Sequence, residues 1–255
     1  MRHISQITQN VEAIRESAGG GFLSDGRPLV RSGDSRYVYN NRPTLDQLDT
    51  AHPGVRRAVD AVYLWRNRYN AACDPFIEDT PRAPSLVLSG PNGTGKTHIA
   101  RAIQWSRVSC PVGEDGEPML SMARPAGRWF DAADLILKLA PTQTEYRTVE
   151  YASVGSLIGA APFAVVDDLG GEGVIPFVGV DYQTFERQSR WFRFIDFCYD
   201  RGVPLIVTTN LSIQNGELAE WIGRRAWDRL NEMSPVGQMV GMWDVPSWRV
   251  QAGGR

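Results

Sequence analysis

One run of eight residues, Gly90-Pro91-Asn92-Gly93-Thr94-Gly95-Lys96-Thr97, constrains the chain more than any other feature. It satisfies the pattern G-x-x-x-x-G-K-[ST] at every position. It also follows an apolar, strand-like stretch (PSLVLSG) and precedes a helix-like one (HIARAIQWS), the context in which the pattern binds phosphate. Glycines let the successive N–H groups of Asn92 to Lys96 close around a phosphate, and the following helix aims its positive end at the same point. Lys96 is placed to reach β- and γ-phosphate oxygens, and the Thr97 hydroxyl suits Mg²⁺. Lysine is rare here: only Lys96 and Lys138 occur among 27 basic residues, and one of them falls where the loop requires it. Gly90, Asn92, Gly93, Thr94, Gly95, Lys96 and Thr97 are therefore expected to hold the phosphates of a nucleotide.

Such a loop needs a carboxylate to complete a metal site, and it is expected at the end of a neighbouring buried strand. Phe163-Ala164-Val165-Val166-Asp167-Asp168 supplies four apolar residues followed by two acids. Asp167 is the expected Mg²⁺ partner, and Asp168 is placed to orient or deprotonate an attacking water. Glu172 is a weaker competitor for that base, because Gly170 and Gly171 leave its position loosely defined. A further strand, Pro204 to Thr208, leads to Asn210, whose amide can bond both the water and the γ-phosphate; the alternative for Asn210 is a turn or helix cap.

Periodicity gives strands at Arg128–Asp131, Phe163–Val166, Leu205–Thr208 and Met239–Met242, with helical stretches between them. The expected fold is a three-layer α/β domain with a central, mostly parallel sheet. Val55, Val59, Val62 and Trp65 recur at helical spacing over 53–70 and predict a helix packed on the core. Residues 4–17 form a short helix in the same reading, and residues 1–40 are read as an arm preceding a domain over 41–255. Up to Asn70 the chain is locally basic, with ten arginines against seven acids. Apolar stretches are too short for a spanning helix, and Cys73, Cys110 and Cys198 are too dispersed for a disulfide framework or zinc site, which predicts a cytoplasmic protein with no membrane partner. The net charge of −2 argues against a surface that coats nucleic acid throughout.

Together, GPNGTGKTHIA (90–100), FAVVDDLGGE (163–172), VPLIVTTNLS (203–212), ELAEWIGRRAWDRL (217–230) and WDVPSWR (243–249) resemble the AAA+ ATPases of the DnaC/IstB type, as does the lead-in NRPTLDQLDTAHPG (41–54). The resemblance implies a P-loop NTPase fold of the AAA+ (ASCE) kind without a separate lid domain, and ATP with Mg²⁺ as cofactors. It implies slow hydrolysis stimulated by oligomerisation or DNA, and assembly into a ring or spiral. Arg229, of the pair Asp228-Arg229, would act as an arginine finger on a neighbouring subunit's ATP, with Arg225 four positions earlier as its support. Arg249 is the nearest replacement for the second sensor arginine, two positions after Ser247. The role implied first is replicative helicase loading, with single-stranded DNA and a helicase as partners. A transposition ATPase that delivers a transposase to target DNA shares these motifs. A monomeric small-molecule kinase and a nucleotide-regulated scaffold with negligible hydrolysis remain as readings from other classes.

Over 184–201, Phe185, Phe192, Ile195 and Tyr199 read as one apolar helix face. Arg187, Arg190 and Arg193 recur every three residues along another, a possible phosphate-tracking stripe whose simpler reading is a solvated face. The preceding stretch, 170–182, carries Val174, Ile175, Phe177 and Val178 without helical period, and the resemblance makes it a DNA-proximal or subunit-contact loop.

Overall fold

The computed structural model describes residues 43–73, 82–106, 108–109, 124–125, 127–143, 149–151, 154–175 and 178–248. The expected helix over 4–17, the N-terminal arm, Phe177 and Arg249 lie outside these residues.

Five strands form one sheet: β1 (Leu86–Ser89), β2 (Arg128–Asp131), β3 (Ala164–Leu169), β4 (Leu205–Thr209) and β5 (Met239–Gly241). Their spatial order is β5-β1-β4-β3-β2, and every pairing is parallel. Each strand predicted from the sequence is present within a few residues of its expected ends. The helices are α1 (Pro53–Ala72), α2 (Lys96–Ser106), α3 (Ala132–Lys138), α4 (Val154–Ile158), α5 (Gln183–Arg201), α6 (Glu217–Ile222) and α7 (Arg224–Met233). No helix among the described residues is long and apolar enough to cross a membrane.

Alternation along the strands sorts their side chains into two cores. Leu86, Leu88, Phe163, Val165 and Ile206 pack beneath α1 and α2, against Val55, Val59, Val62, Trp65 and Ile99. Val87, Ala164, Val166, Leu205 and Val207 face the opposite layer, where Leu135, Trp191, Phe194, Ile195, Leu218 and Leu230 close the second core. Both faces are thus covered, as an all-parallel sheet requires. The expected three-layer P-loop NTPase fold is the one observed.

The α5 face is rotated from its expected position. Trp191, Phe194, Ile195 and Cys198 are buried, whereas Phe185 is 71% exposed. The arginine stripe is corrected accordingly. Arg190 is buried, bonding Glu186 at 2.8 Å and the Ile136 carbonyl at 2.9 Å. Arg193 donates to the Leu139 carbonyl at 3.3 Å, and Arg187 donates to the Trp221 carbonyl at 3.3 Å while stacking over its ring. Helix α3 ends with carbonyls that have no partner within the helix, and Arg190 and Arg193 satisfy them, so these guanidiniums form no exposed row.

Candidate functional site

Strand order decides which residues meet at the carboxyl edge. The two-acid strand β3 is not adjacent to the loop-bearing strand β1, contrary to the sequence reading. Strand β4 lies between them, pairing Ser89 with Thr209 on one side and Val166 with Val207 on the other. It therefore sets residues from its own end between the phosphate loop and the acids.

Pairing between β3 and β4 slips by one residue after Val166, since Leu169 pairs with Thr209. Asp168 takes up the slip as a bulge with φ of 59°, a left-handed conformation that Asp tolerates better than most residues. The bulge would leave the Asp168 N–H without a ladder partner. The Thr208 hydroxyl oxygen accepts that N–H at 2.9 Å, and its own proton is donated to Asp167 Oδ1 at 2.6 Å. Thr97 Oγ1 donates to the same Asp167 oxygen at 2.9 Å. Thr208 is thus a site residue that sequence reasoning missed. A threonine in a buried strand reads as an ordinary β-former until the bulge gives its hydroxyl something to satisfy.

Lys96 is buried, and its Nζ donates to the Gly90 and Pro91 carbonyls at 2.7 and 2.8 Å and to Asn210 Oδ1 at 2.9 Å. Asn210 Nδ2 donates in turn to Asp168 Oδ1 at 2.8 Å. One amide therefore joins the loop lysine to the second acid, and Asn210 is no simple turn cap. Thr94 is fully buried and ties the loop to itself through the Pro91 carbonyl at 3.0 Å.

The segment after β5 closes the loop from outside. Trp248 N–H donates to the Gly93 carbonyl at 3.0 Å. Ser247 occupies the space that a side chain at Gly93 would need, and Gly93 has φ of +84°, so glycine is required there twice over. From the other end, the Thr44 carbonyl lies 2.8 Å from His98 Nε2, and the Leu48 side chain packs against Gly95.

Lys96, Thr97, Asp167, Asp168, Thr208 and Asn210 line a cleft of about 600 Å³, together with Asn92 and Asp131. Asp131, in register with Asp167 on β2, caps α3 by accepting the Ala133 N–H at 3.0 Å and the Asp134 N–H at 3.3 Å. Its signal was legible as an acid between a strand and a helix, RWFD before AADLILK. Arg101, one turn beyond Thr97, stacks 3.3 Å over the Trp129 ring. Burial lowers its pKa, and the nearby Asp167 carboxylate opposes that shift.

The chemistry of the donors fits a nucleotide phosphate with Mg²⁺. No group of three or more His, Cys, Asp or Glu side chains that could hold a metal unaided occurs among the described residues. A hydroxyl and a carboxylate oxygen already in contact, at Thr97 and Asp167, suit the cation that takes few protein ligands and completes its shell with phosphate and water.

Arg225 and Arg229 are absent from the cleft lining. Both lie against α5, Arg225 stacked 4.1 Å over Phe192 and Arg229 stacked 4.2 Å over Tyr199. Arg229 Nε also donates to Asp196 at 3.2 Å, while Asp228 pairs with Arg224 at 3.0 Å. Glu172, read as loosely placed, is instead buried and anchored away from the cleft. Its Oε2 accepts the Gly170 N–H at 2.6 Å and Trp221 Nε1 at 3.0 Å.

Fold and site define the class: the chain has the three-layer α/β fold of P-loop NTPases, with the glycine-rich loop after β1 and the paired acids at the end of β3. No protein-family profile matches the sequence, and no curated protein sequence matches it. Among solved structures, the chain is similar in fold to DnaI, at 16% identity, with a TM-score of 0.51, over 78% of this chain and 90% of that one. A crystal structure of the DnaC helicase loader also aligns, at 20% identity and a TM-score of 0.49, over 78% of this chain and 96% of that one.

Proposed function

We propose that the protein is a DNA-associated ATPase of the helicase-loader type, which binds ATP with Mg²⁺ and hydrolyses it slowly. The observation that carries this reading is the Lys96–Asn210–Asp168 network, which links the phosphate-gripping cation to the acid through one amide. Lys96 exchanges its carbonyl partners for β- and γ-phosphate oxygens. Asn210 lies between the γ-phosphate and the attacking water, and Asp168 accepts the proton of that water as its oxygen bonds to phosphorus and the bond to the ADP oxygen breaks. Thr97 and Asp167 would hold Mg²⁺, which would supply positive charge to offset that of the phosphates. Thr208 keeps Asp167 and Asp168 turned to their separate tasks.

Arg229 and Arg225 serve the ATP of a neighbouring subunit, which accounts for their distance from the cleft of their own chain. Hydrolysis then depends on self-association, as a ring or spiral around single-stranded DNA, with a replicative helicase as the protein partner. Arg249, the next residue in sequence after Trp248, is the proposed second sensor. DNA contact is not assigned to Arg187, Arg190 or Arg193, whose guanidiniums are engaged inside the subunit.

The test is ATP turnover by the full chain against protein concentration, with and without single-stranded DNA, combined with affinity capture from the host in ATP or a non-hydrolysable analogue. Turnover that rises with concentration and DNA, with helicase retained, is expected. Retention of a transposase would assign the transposition role. Turnover stimulated by a nucleoside or sugar with no response to DNA would replace the reading by a small-molecule kinase.

A further inference from the structure

Beyond Asp168 the chain makes a closed turn and sends Glu172 into the α5–α6 layer. Gly171 N–H donates to the Asp168 carbonyl at 2.8 Å, and a side chain at Gly171 would collide with the Asp168 carboxylate. Gly170, at φ of +96°, packs against the Leu211 side chain, leaving no room for a substituent. The turn therefore bears directly on Asp168, and its middle N–H, at Gly170, is held by Glu172 Oε2. The same oxygen receives the Trp221 indole N–H of α6. Arg187 of α5 stacks 3.8 Å over the Trp221 ring and attracts the Glu172 carboxylate. Glu172 Oε1 and Trp191 Nε1 are both buried without a hydrogen bond of ordinary geometry.

A carboxylate in this position is costly to bury, and an apolar side chain would fill the space without that cost. What an apolar side chain cannot do is hold the Gly170 N–H and the Trp221 indole on one oxygen. We propose that Glu172 is a positioning residue, which ties the turn behind Asp168 to α6 through Trp221 and so sets the reach of Asp168 into the cleft. The role rests on the ATPase reading of that cleft. It also connects the cleft to α5, the helix on which Arg225 and Arg229 rest, so that contact at those arginines has a packed route to the acid.

The experiment compares the full chain with Glu172→Leu, Glu172→Gln and Trp221→Phe, measuring kcat, KM and the affinity for a fluorescent ADP analogue. Glu172→Leu is expected to lower kcat about 10- to 100-fold, the scale of a misplaced reacting group, with KM and ADP affinity within about 3-fold of wild type. Glu172→Gln keeps an amide oxygen for both donors and restores kcat to within about 3-fold. Trp221→Phe removes one donor and gives an intermediate loss. A Glu172→Leu chain that turns over like wild type, or one that loses ADP affinity in proportion to kcat, overturns the positioning role. If Glu172→Leu does not fold, Trp221→Phe decides alone: reduced kcat at unchanged ADP affinity supports the role, and unchanged kcat overturns it. A wild-type chain with no ATP turnover overturns the ATPase reading and the positioning role with it. Wild-type turnover matched by every variant overturns only the latter.

Discussion

The Thr208 hydroxyl donates to Asp167 Oδ1 at 2.6 Å, from the strand that separates the acids from the phosphate loop. The same hydroxyl accepts the N–H of Asp168, the bulged residue. Thr208→Val preserves shape but strips both functions, leaving a part-buried N–H unsatisfied. Stability is expected to fall by about 1–3 kcal/mol, and Asp167 loses one of the two hydroxyls that orient it. Urea unfolding, with Mg²⁺-dependent nucleotide binding measured alongside, checks this. Wild-type values for both would show that the threonine is dispensable.

Lys96→Ala removes the only ammonium that lines the cleft among the described residues. Charge-assisted bonds to phosphate are each worth about 1.5–3 kcal/mol, so ATP affinity is expected to drop by roughly 10- to 100-fold or more. Calorimetric titration measures it directly. Lys96→Arg should not restore binding, because the planar fork cannot take the path of a compact ammonium between the Gly90 and Pro91 carbonyls.

Asp168→Asn separates holding from proton transfer. Its amide oxygen can still accept from Asn210, so the network and ATP binding survive, while turnover falls by about 10²- to 10⁴-fold with loss of the base. Single-turnover kinetics at saturating ATP distinguish this from weakened binding, and an unimpaired chemical step would remove Asp168 from the role.

On the proposed reading, Arg229→Ala is expected to retain nucleotide binding and to lose a stimulation of turnover by assembly, for which fingers are typically worth about 10³- to 10⁵-fold. In the isolated subunit the change breaks the contacts with Asp196, Tyr199 and Glu232. Turnover should therefore stop depending on protein concentration. Normal concentration-dependent turnover in the variant would sink the assignment.

Burial raises the pKa of Glu172, more strongly than its hydrogen bonds from Gly170 and Trp221 lower it. A carboxyl raised in the folded state favours folding fully while protonated, below its unfolded pKa, and that contribution disappears as pH climbs through the folded value. Glu172→Gln has nothing to titrate. Its stability relative to wild type should rise with pH from the ordinary carboxylate range up to the raised value and then level off. Melting temperatures of both chains from about pH 4.5 to 8 test the sign. A flat difference would mean that Arg187 and the bound donors cancel the cost of burial.

The strands, the phosphate loop and the two acids were legible because each rests on a local pattern: apolar runs of strand length, glycines at fixed offsets, and a polar residue where such a run ends. The face of α5 was not. Counting its aromatic residues favoured a face containing Phe185, which the fold leaves exposed, since the helix turns toward the unpaired carbonyls of α3 and commits Arg190 and Arg193 to them. Periodicity locates an amphipathic helix but does not reveal which neighbour has carbonyls to satisfy.

The run from Gly90 to Thr97 determined by itself that the chain carries a phosphate-loop pattern at a strand-to-helix turn, because the backbone geometry of that loop depends on few residues outside it. Only the tertiary structure decided what completes the site. Inserting β4 between β1 and β3 brings Asn210 to Lys96 and Asp168, and the one-residue slip at Asp168 recruits Thr208. The turn that follows buries Glu172 behind it. These partners lie about forty or more positions apart or across a turn, and hydrogen bonds between them exist only once strand order and register have been set.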